Sequence, residues 1–413
     1  MMNATTQLRA IDARTLTAPV RSALRSDTVE IDDWQSSPLG VGVGNPVSLG
    51  LHRFSGTAHD RGEPLTWSLV LKMAQSPANV GALDMGEGDD PTHWNYCKRE
   101  LYLYQSDLLD HLPPGLAAPR CFGAEERPGD VIWLWLEEIS AAQDGAPWPL
   151  ERYGLAARHF GRFNGAYLAE RPLPAYPWLS TGLLRHWCSS LATDTPLFPV
   201  SQARPNLWQH PLVCRIYPPP DANPFLQLLV DRNRFLAALD ACPQTVCHRD
   251  AYPTDLMGRR RENGQEETVA VDWALAGIGP VGEELAQLTA GALDSADAAE
   301  AQDVDEVLFA GYVDGLRDSG WRGDAHAVRF GYVASAALRI GLWLLWLLNR
   351  AFEESGAIEH QDAPGEPIEG PALSLSRAEP RDLVAGLIEQ QARATRFVLD
   401  LAEEAYELLD TRA

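Results

Sequence analysis

Three aspartates stand out by their spacing. His248-Arg249-Asp250 is followed five residues later by Asp255, and Asp272 ends the apolar run VAVDW, 22 residues after Asp250. The stretch DLMGRRRENGQEETVAVDW between them reads as a β-hairpin turning at Asn263-Gly264, because that dipeptide accepts the positive φ of a two-residue turn. A strand that ends in aspartate carries a charge that is costly without a partner. A hairpin that gathered Asp250, Asp255 and Asp272 would set three like charges against one another. A divalent cation resolves that repulsion, and Mg2+ takes oxygen ligands from one or two carboxylates together with phosphate oxygens. The plainer alternative is that these aspartates cap turns or pair with the nearby arginines.

Lys72 is the second chemical anomaly. Of the 34 basic residues only Lys72 and Lys98 are lysines, and Lys72 sits inside the apolar strand candidate LTWSLVLKM. A cation there is expensive unless it meets a carboxylate or a phosphate. The glycines of LGVGVGN (Gly40, Gly42 and Gly44) lie between two strand candidates, where backbone could approach phosphate closely. They lack the GK[ST] ending of a nucleotide-binding P-loop.

These residues need elements to hold them. Residues 18–25 read as a short helix, and 29–34, 47–54, 65–73, 119–123 and 131–136 as strands. SGTAHDRGEP reads as a turn between strands, and residues 92–111 as one helix by the spacing of Trp94, Leu101, Tyr104 and Leu108. From about residue 140 the texture becomes helical, with candidates at 152–168, 178–191, 223–239, 282–293, 304–317, 325–352 and 381–409, interrupted by the one hairpin. The expected class is therefore α+β, in two lobes: a β-rich N-terminal lobe over residues 1–139 with one main helix, and a helical lobe over 140–413 carrying the hairpin.

The order of these features resembles a known family. HRDAYPTDLM matches the H-x-D-x-x-x-x-N loop of phosphoryl-transfer enzymes except at its last position. VAVDWALAGIGPVGEELAQL resembles the DW segment of the aminoglycoside phosphotransferase and choline-kinase-like superfamily, distant relatives of the protein kinases. The resemblance implies transfer of the γ-phosphoryl group of ATP or GTP to a hydroxyl of a small molecule, with Mg2+. It implies that Asp250 orients the acceptor hydroxyl or accepts its proton, that Asp272 and Asp255 hold the metal, and that His248 organises the loop by hydrogen bonding. Lys72, paired with Glu100 of CKRELYLY, would hold the nucleotide phosphates. Gly40, Gly42 and Gly44 would approach the phosphates, and the backbone of Glu137 and Ile139 would read the base at a lobe-connecting hinge. Tyr252 either packs the loop or touches the acceptor, and Trp273 is placed near the acceptor. Lys98 and Arg99 read as solvated, and Arg249 has no assigned role.

Asp255 stands where the family has asparagine. Aspartate brings a charge and no N–H donor, which leaves open a catalytically degenerate nucleotide-binding protein, or nucleotidyl transfer on the same fold. The acceptor class also stays open among aminoglycosides, choline-like molecules and sugars. No phosphorylatable activation segment follows Asp272, which disfavours a protein substrate.

Bulk properties bound the rest. A net charge of −23 over 413 residues opposes nucleic acid or an anionic membrane as partner and suits a cationic substrate. The six cysteines show no CxxC spacing, the N-terminus lacks a secretory core, and Arg339 interrupts the most apolar stretch at residues 330–348. A cytoplasmic protein with reduced thiols is expected.

Overall fold

The structure, a computed structural model, describes residues 4–40, 47–79, 90–91, 93–139, 148–192, 208–209, 211, 213–219, 222–293, 301–345, 348 and 380–411. The fold is α+β, with a β-sheet N-terminal region and a helical C-terminal region. It divides into two compact units that are discontinuous in sequence. The first comprises Met1–Asp144, Tyr176–Ser180 and Leu256–Ala276; the second comprises Gly145–Ala175, Thr181–Asp255 and Gly277–Ala413.

In the first unit, α1 (Ala4–Arg9) and α2 (Ala13–Leu24) precede a five-stranded antiparallel sheet of order β1-β2-β3-β6-β5. Its strands are β1 (Glu30–Gly40), β2 (Ser48–Asp60), β3 (Glu63–Gln75), β5 (Cys121–Arg127) and β6 (Val131–Glu137). Helix α2 starts earlier than the periodicity suggests, because the Asp12 carboxylate accepts the Thr15 N–H at 2.9 Å and caps it there. SGTAHDRGEP is not a broad turn. Strands β2 and β3 pair as far as Asp60 and Glu63, and only Arg61 and Gly62 turn, both at positive φ (52° and 87°). The paired ends of those strands are polar because they are solvent-facing, which hides them from a search for apolar runs. Pro38 is tolerated in β1 because that strand lies at the edge of the sheet.

Alternation along β3 fixes what each residue meets. Trp67, Leu69, Leu71 and Met73 are buried against Leu16 and Val20 of α2, together with Phe54, Trp133 and Trp135. The other face is covered by α3 (Arg99–Gln105), whose Leu101 packs on Ile132, Leu134 and Leu136 with Val70 and Ala74. Lys72, paired across the sheet with Leu134, shares the parity of Val70 and Ala74. A period of two residues therefore delivers Lys72 to the α3 side.

The expected helix over 92–111 is a correction. Helix α3 has only seven residues, followed by a 3-10 turn at Leu108–His111. The segment ahead of it is held as turns because Arg99 claims its carbonyls, and Thr92 lies outside the described residues. The hairpin forms as expected. Strands β8 (Leu256–Arg260) and β9 (Glu266–Ala270) pair in register around Gly264 at φ 81°. β9 also pairs in parallel with β4 (Leu116–Ala117), which groups the hairpin with the first unit.

The second unit contains α4 (Leu150–Ala169), α5 (Leu183–Ala192), α6 (Pro224–Asp240), α7 (Glu284–Leu293), α8 (Ala301–Asp318), α9 (Ala325–Ala336) and α10 (Pro380–Thr411). A π-turn at Ala337–Gly341 continues α9. The helical run Ala325–Leu345 is, among the described residues, the one long and apolar enough to cross a membrane, and it is 89% buried inside the fold. A short two-stranded sheet of β7 (Gln244–Cys247) and β10 (Gly277–Pro280) completes the unit. Its second strand, GIGP, has no β-forming residue but Ile278, so it left no pattern to read. Gly279 is required there: a Cβ would collide with the Glu283 carboxylate. None of the six cysteines is in a disulfide.

Candidate active site

The candidate residues form two preassembled groups, one in each unit. In the first, Lys72 Nζ lies 2.5 Å from Glu100 Oε2 and 2.7 Å from Asp272 Oδ1. One ammonium thus bridges the sheet, helix α3 and the end of the hairpin. Burial opposes the Lys72 charge, but Asp272 and Glu100 more than offset it and hold the ammonium above its ordinary range. Glu100 is pushed up by burial and by Asp272, with Lys72 acting the other way. Two carboxylates sharing one cation leave the group electron-rich, and Asp272 is its accessible end, with a side chain 40% exposed against 5% for Glu100.

The backbone around Asp272 is held under strain. Asp272 sits at φ 59°, in the left-handed region that a non-glycine residue occupies at a cost of about 1–3 kcal/mol. Glu100 Oε1 accepts the N–H of the next residue, Trp273, at 3.1 Å. Arg99 contributes the rest and corrects the expectation that it is solvated: it is fully buried. Its guanidinium donates to the carbonyls of Trp178, Trp94, Ala274, Pro91 and His93. Five N–H donors meet five backbone acceptors, the arrangement a planar fork can satisfy without a counter-ion. Arg99 therefore ties the Asp272 turn to the start of α3. Lys98, by contrast, pairs with Glu126 at 2.8 Å.

Trp273, expected beside the acceptor, is fully buried, and its indole donates to Ala270 O at 2.8 Å. The strand has ended at Ala270, and Trp273 opens a 3-10 turn (Trp273–Leu275) after the left-handed Asp272. Glu137 ends β6. Its N–H donates to Arg120 O at 2.8 Å, and its carboxylate meets Arg120 at 3.3 Å and Arg259 at 3.6 Å. Ile139 is half-buried just beyond the strand, Gly40 ends β1 opposite Leu51, and Gly42 and Gly44 lie outside the described residues.

The second group is the loop from His248 to Asp255. His248 is buried, and its Nδ1 accepts the Asp250 N–H at 3.1 Å. Tyr252 N–H donates to Asp250 O and Asp255 N–H to Tyr252 O, at 2.7 and 2.8 Å, so the loop closes in tight turns. The Tyr252 ring and Pro253 lie against Gly291 of α7, and Tyr252 is half-buried there.

What anchors this loop could not be read locally. Glu284 accepts the backbone N–H groups of His248 and Arg249, both at 2.8 Å. Arg249, at φ 70°, is buried and paired with Glu283 at 3.3 Å, and it donates to Ile278 O. Asn164 of α4 donates to Val246 O at 2.6 Å and accepts from the Tyr312 hydroxyl, also at 2.6 Å. The Asp250 carboxylate accepts from Gln287 Nε2 at 3.2 Å and has Arg339 Nη2 at 3.6 Å. The tandem Glu283-Glu284 was the available signal. A pair of adjacent acids at a helix start usually reads as a favourable end charge, and here each is also a loop anchor.

Glu284 yields a pH prediction. Burial raises its carboxyl to about 7 from 4.5, against the two N–H bonds that lower it. A group that binds its proton more tightly folded than unfolded contributes most in acid, and the contribution falls as pH rises from 4.5 towards 7. The span corresponds to something on the order of 3 kcal/mol. Glu284→Gln is expected to flatten that slope, while its amide, turned towards one loop N–H, costs about 1–3 kcal/mol at low pH. Melting temperature against pH for both proteins checks this; parallel curves would exclude it.

Of the three carboxylates, Asp250 and Asp255 belong to the second unit and Asp272 to the first. Among the described residues no group of three or more His, Cys, Asp or Glu side chains could hold a metal ion, and Asp272 is neutralised by Lys72 instead. The donors present still fit Mg2+. Asp272 in the first unit and Asp255 in the second are each partly exposed carboxylates, the oxygen donors a hard ion takes singly or in pairs before completing its shell with phosphate and water.

No family model matches the chain, and no curated protein does. Solved structures resemble it over most of its length. An amicoumacin kinase in complex with AMP-PNP, Ca2+ and Ami is 12% identical with a TM-score of 0.49, covering 95% of this chain and 96% of that one. A microcompartment-associated aminopropanol kinase is 12% identical with a TM-score of 0.48, covering 96% and 98%. A choline kinase from Cryptosporidium parvum Iowa II is 11% identical with a TM-score of 0.47, covering 93% and 91%. This is a likeness of fold.

Proposed function

We propose that this protein is a small-molecule phosphotransferase, moving the γ-phosphoryl group of ATP or GTP to the hydroxyl of a small acceptor. The observation that carries this reading is Lys72, a largely covered strand lysine with a side chain 15% exposed, held at once by Glu100 at 2.5 Å and Asp272 at 2.7 Å. A structural ion pair needs one acid; a second, accessible acid on a strained backbone is what phosphate binding with a metal requires. In this reading Lys72 binds the nucleotide phosphates and Glu100 keeps it oriented. Asp255 and Asp272 are the residues that would hold Mg2+, whose charge would neutralise the phosphates. Asp250 orients the acceptor hydroxyl and takes its proton, and His248 and Glu284 keep the loop in shape. The acidity of the chain, −23 overall, favours a cationic acceptor such as an amino-alcohol or an aminoglycoside.

A second reading, a degenerate nucleotide-binding protein, is favoured by Asp255 alone. An acceptor panel with MgATP separates the two. ADP and a phosphorylated acceptor, identified by mass, support phosphotransfer; pyrophosphate and an acceptor carrying the nucleotidyl group assign nucleotidyl transfer. Nucleotide binding without any product, gained only in Asp255→Asn, assigns the degenerate form.

A further inference from the structure

The Asp250 side chain faces donors from two other elements. Gln287 comes from α7 and Arg339 from the π-turn that follows α9. Arg339 is an unusual resident of that turn. It interrupts an apolar helical run, is 8% exposed, and spends Nη1 on the carbonyl of Arg249 at 2.5 Å while Nη2 faces Asp250. The indole N–H of Trp187 in α5 donates to the Arg339 carbonyl at 3.2 Å and pins the turn. A buried guanidinium in an apolar helix is costly, and a leucine would stabilise the helix more. A π-turn, too, is a rare departure that recurs at functional sites, because the extra residue rotates the side chains beyond it.

We propose that Arg339 and Gln287 are positioning residues that fix the Asp250 carboxylate for reaction, with the π-turn as the device that aims Arg339 at the loop. This rests on the phosphotransfer reading. Arg339 clamps the loop at two successive residues, the carbonyl of Arg249 and the carboxylate of Asp250, so rotation of Asp250 breaks a contact. Its charge also offsets a loop that carries Asp250 and Asp255 with no donor from the latter's side chain. Gln287 supplies a neutral amide donor to the same Asp250 oxygen and leaves the outer face of the carboxylate to the acceptor.

The test uses the full chain. ADP release from MgATP with water as acceptor, and the Kd of a fluorescent ATP analogue, are measured for wild type, Asp250→Ala, Arg339→Met, Arg339→Lys and Gln287→Leu. Methionine suits the apolar helix and keeps the fold. Arg339→Met is expected to lose turnover by about 10²-fold, the cost of a misplaced reacting group, with the analogue's Kd unchanged. Gln287→Leu is expected to lose about tenfold. Lysine, which restores the charge without the fork, is expected to recover part of the loss. If Asp250→Ala is inactive while Arg339→Met and Gln287→Leu turn over like wild type, this inference fails and the phosphotransfer reading stands. If Asp250→Ala turns over like wild type, both fail. Amide exchange gives a readout independent of turnover: Arg339→Met is expected to speed exchange in the peptide 244–255 and leave 99–105 unchanged. Unchanged exchange in 244–255 overturns the clamp.

Discussion

Replacing Asp250 by alanine is expected to lower turnover by about 10²–10⁴-fold, the range contributed by a positioned general base, and to leave nucleotide affinity where it was. The separation follows from where the residues are. Asp250 belongs to the second unit, on a loop fixed by His248, Glu284, Gln287 and Arg339. Lys72, Glu100 and Asp272 belong to the first and hold one another without it. Asparagine divides the two roles of the carboxylate. Asp250→Asn keeps an oxygen for the Gln287 amide but cannot take a proton. If orientation dominates, the asparagine protein keeps a tenth or more of the activity; if proton transfer dominates, it falls with alanine. Binding of an ATP analogue and single-turnover ADP release, measured side by side, make the distinction. A loss of binding equal to the loss of rate would mean that Asp250 serves the nucleotide, contrary to the assignment.

The second large effect is expected at Lys72. Lys72→Met removes the only cation between Glu100 and Asp272, so both activity and stability fall. Turnover is expected to drop about 10²–10³-fold, as when one preorganised donor to a developing charge is lost. Stability near pH 8 is expected to fall by about 3–5 kcal/mol, the cost of leaving a buried acid without its partner. The deficit carries a sign in pH. Glu100 is already pushed up by burial, and without Lys72 only the Trp273 N–H still opposes that rise. The folded variant then binds a proton more tightly than the unfolded chain does, so it is most stable in acid and loses stability as pH rises. In wild type the Lys72 ammonium counters part of the rise at Glu100, so a shallower slope is expected. Denaturant unfolding at pH 5 and pH 8 checks it; a deficit equal at both values would show that Glu100 stays ionised and that the loss comes from packing.

Some of this was legible before any coordinates. The Asn263-Gly264 turn, the strand carrying Lys72, and the order Lys72, Glu100, His248, Asp250, Asp255, Asp272 follow from turn chemistry, period-two alternation and residue type, all local properties. The helix over 92–111 failed for a reason outside its own residues: Arg99 draws in the carbonyls of Pro91, His93 and Trp94 and keeps the segment in turns. The turn SGTAHDRGEP failed because polar residues on an exposed strand carry no apolar pattern.

The chain itself determined which groups could do chemistry, since a lysine in an apolar strand and aspartates at strand ends are costly wherever the chain folds. Only the tertiary structure decided what neutralises them. Glu284 lies 35 residues beyond Arg249 and Arg339 a further 55, and both would be read from sequence as a helix-end charge and an interruption of an apolar run. Their roles arise from contacts between elements distant in sequence, where burial removes water and makes one specific partner worth more than solvent. Spacing along the chain carries no trace of that.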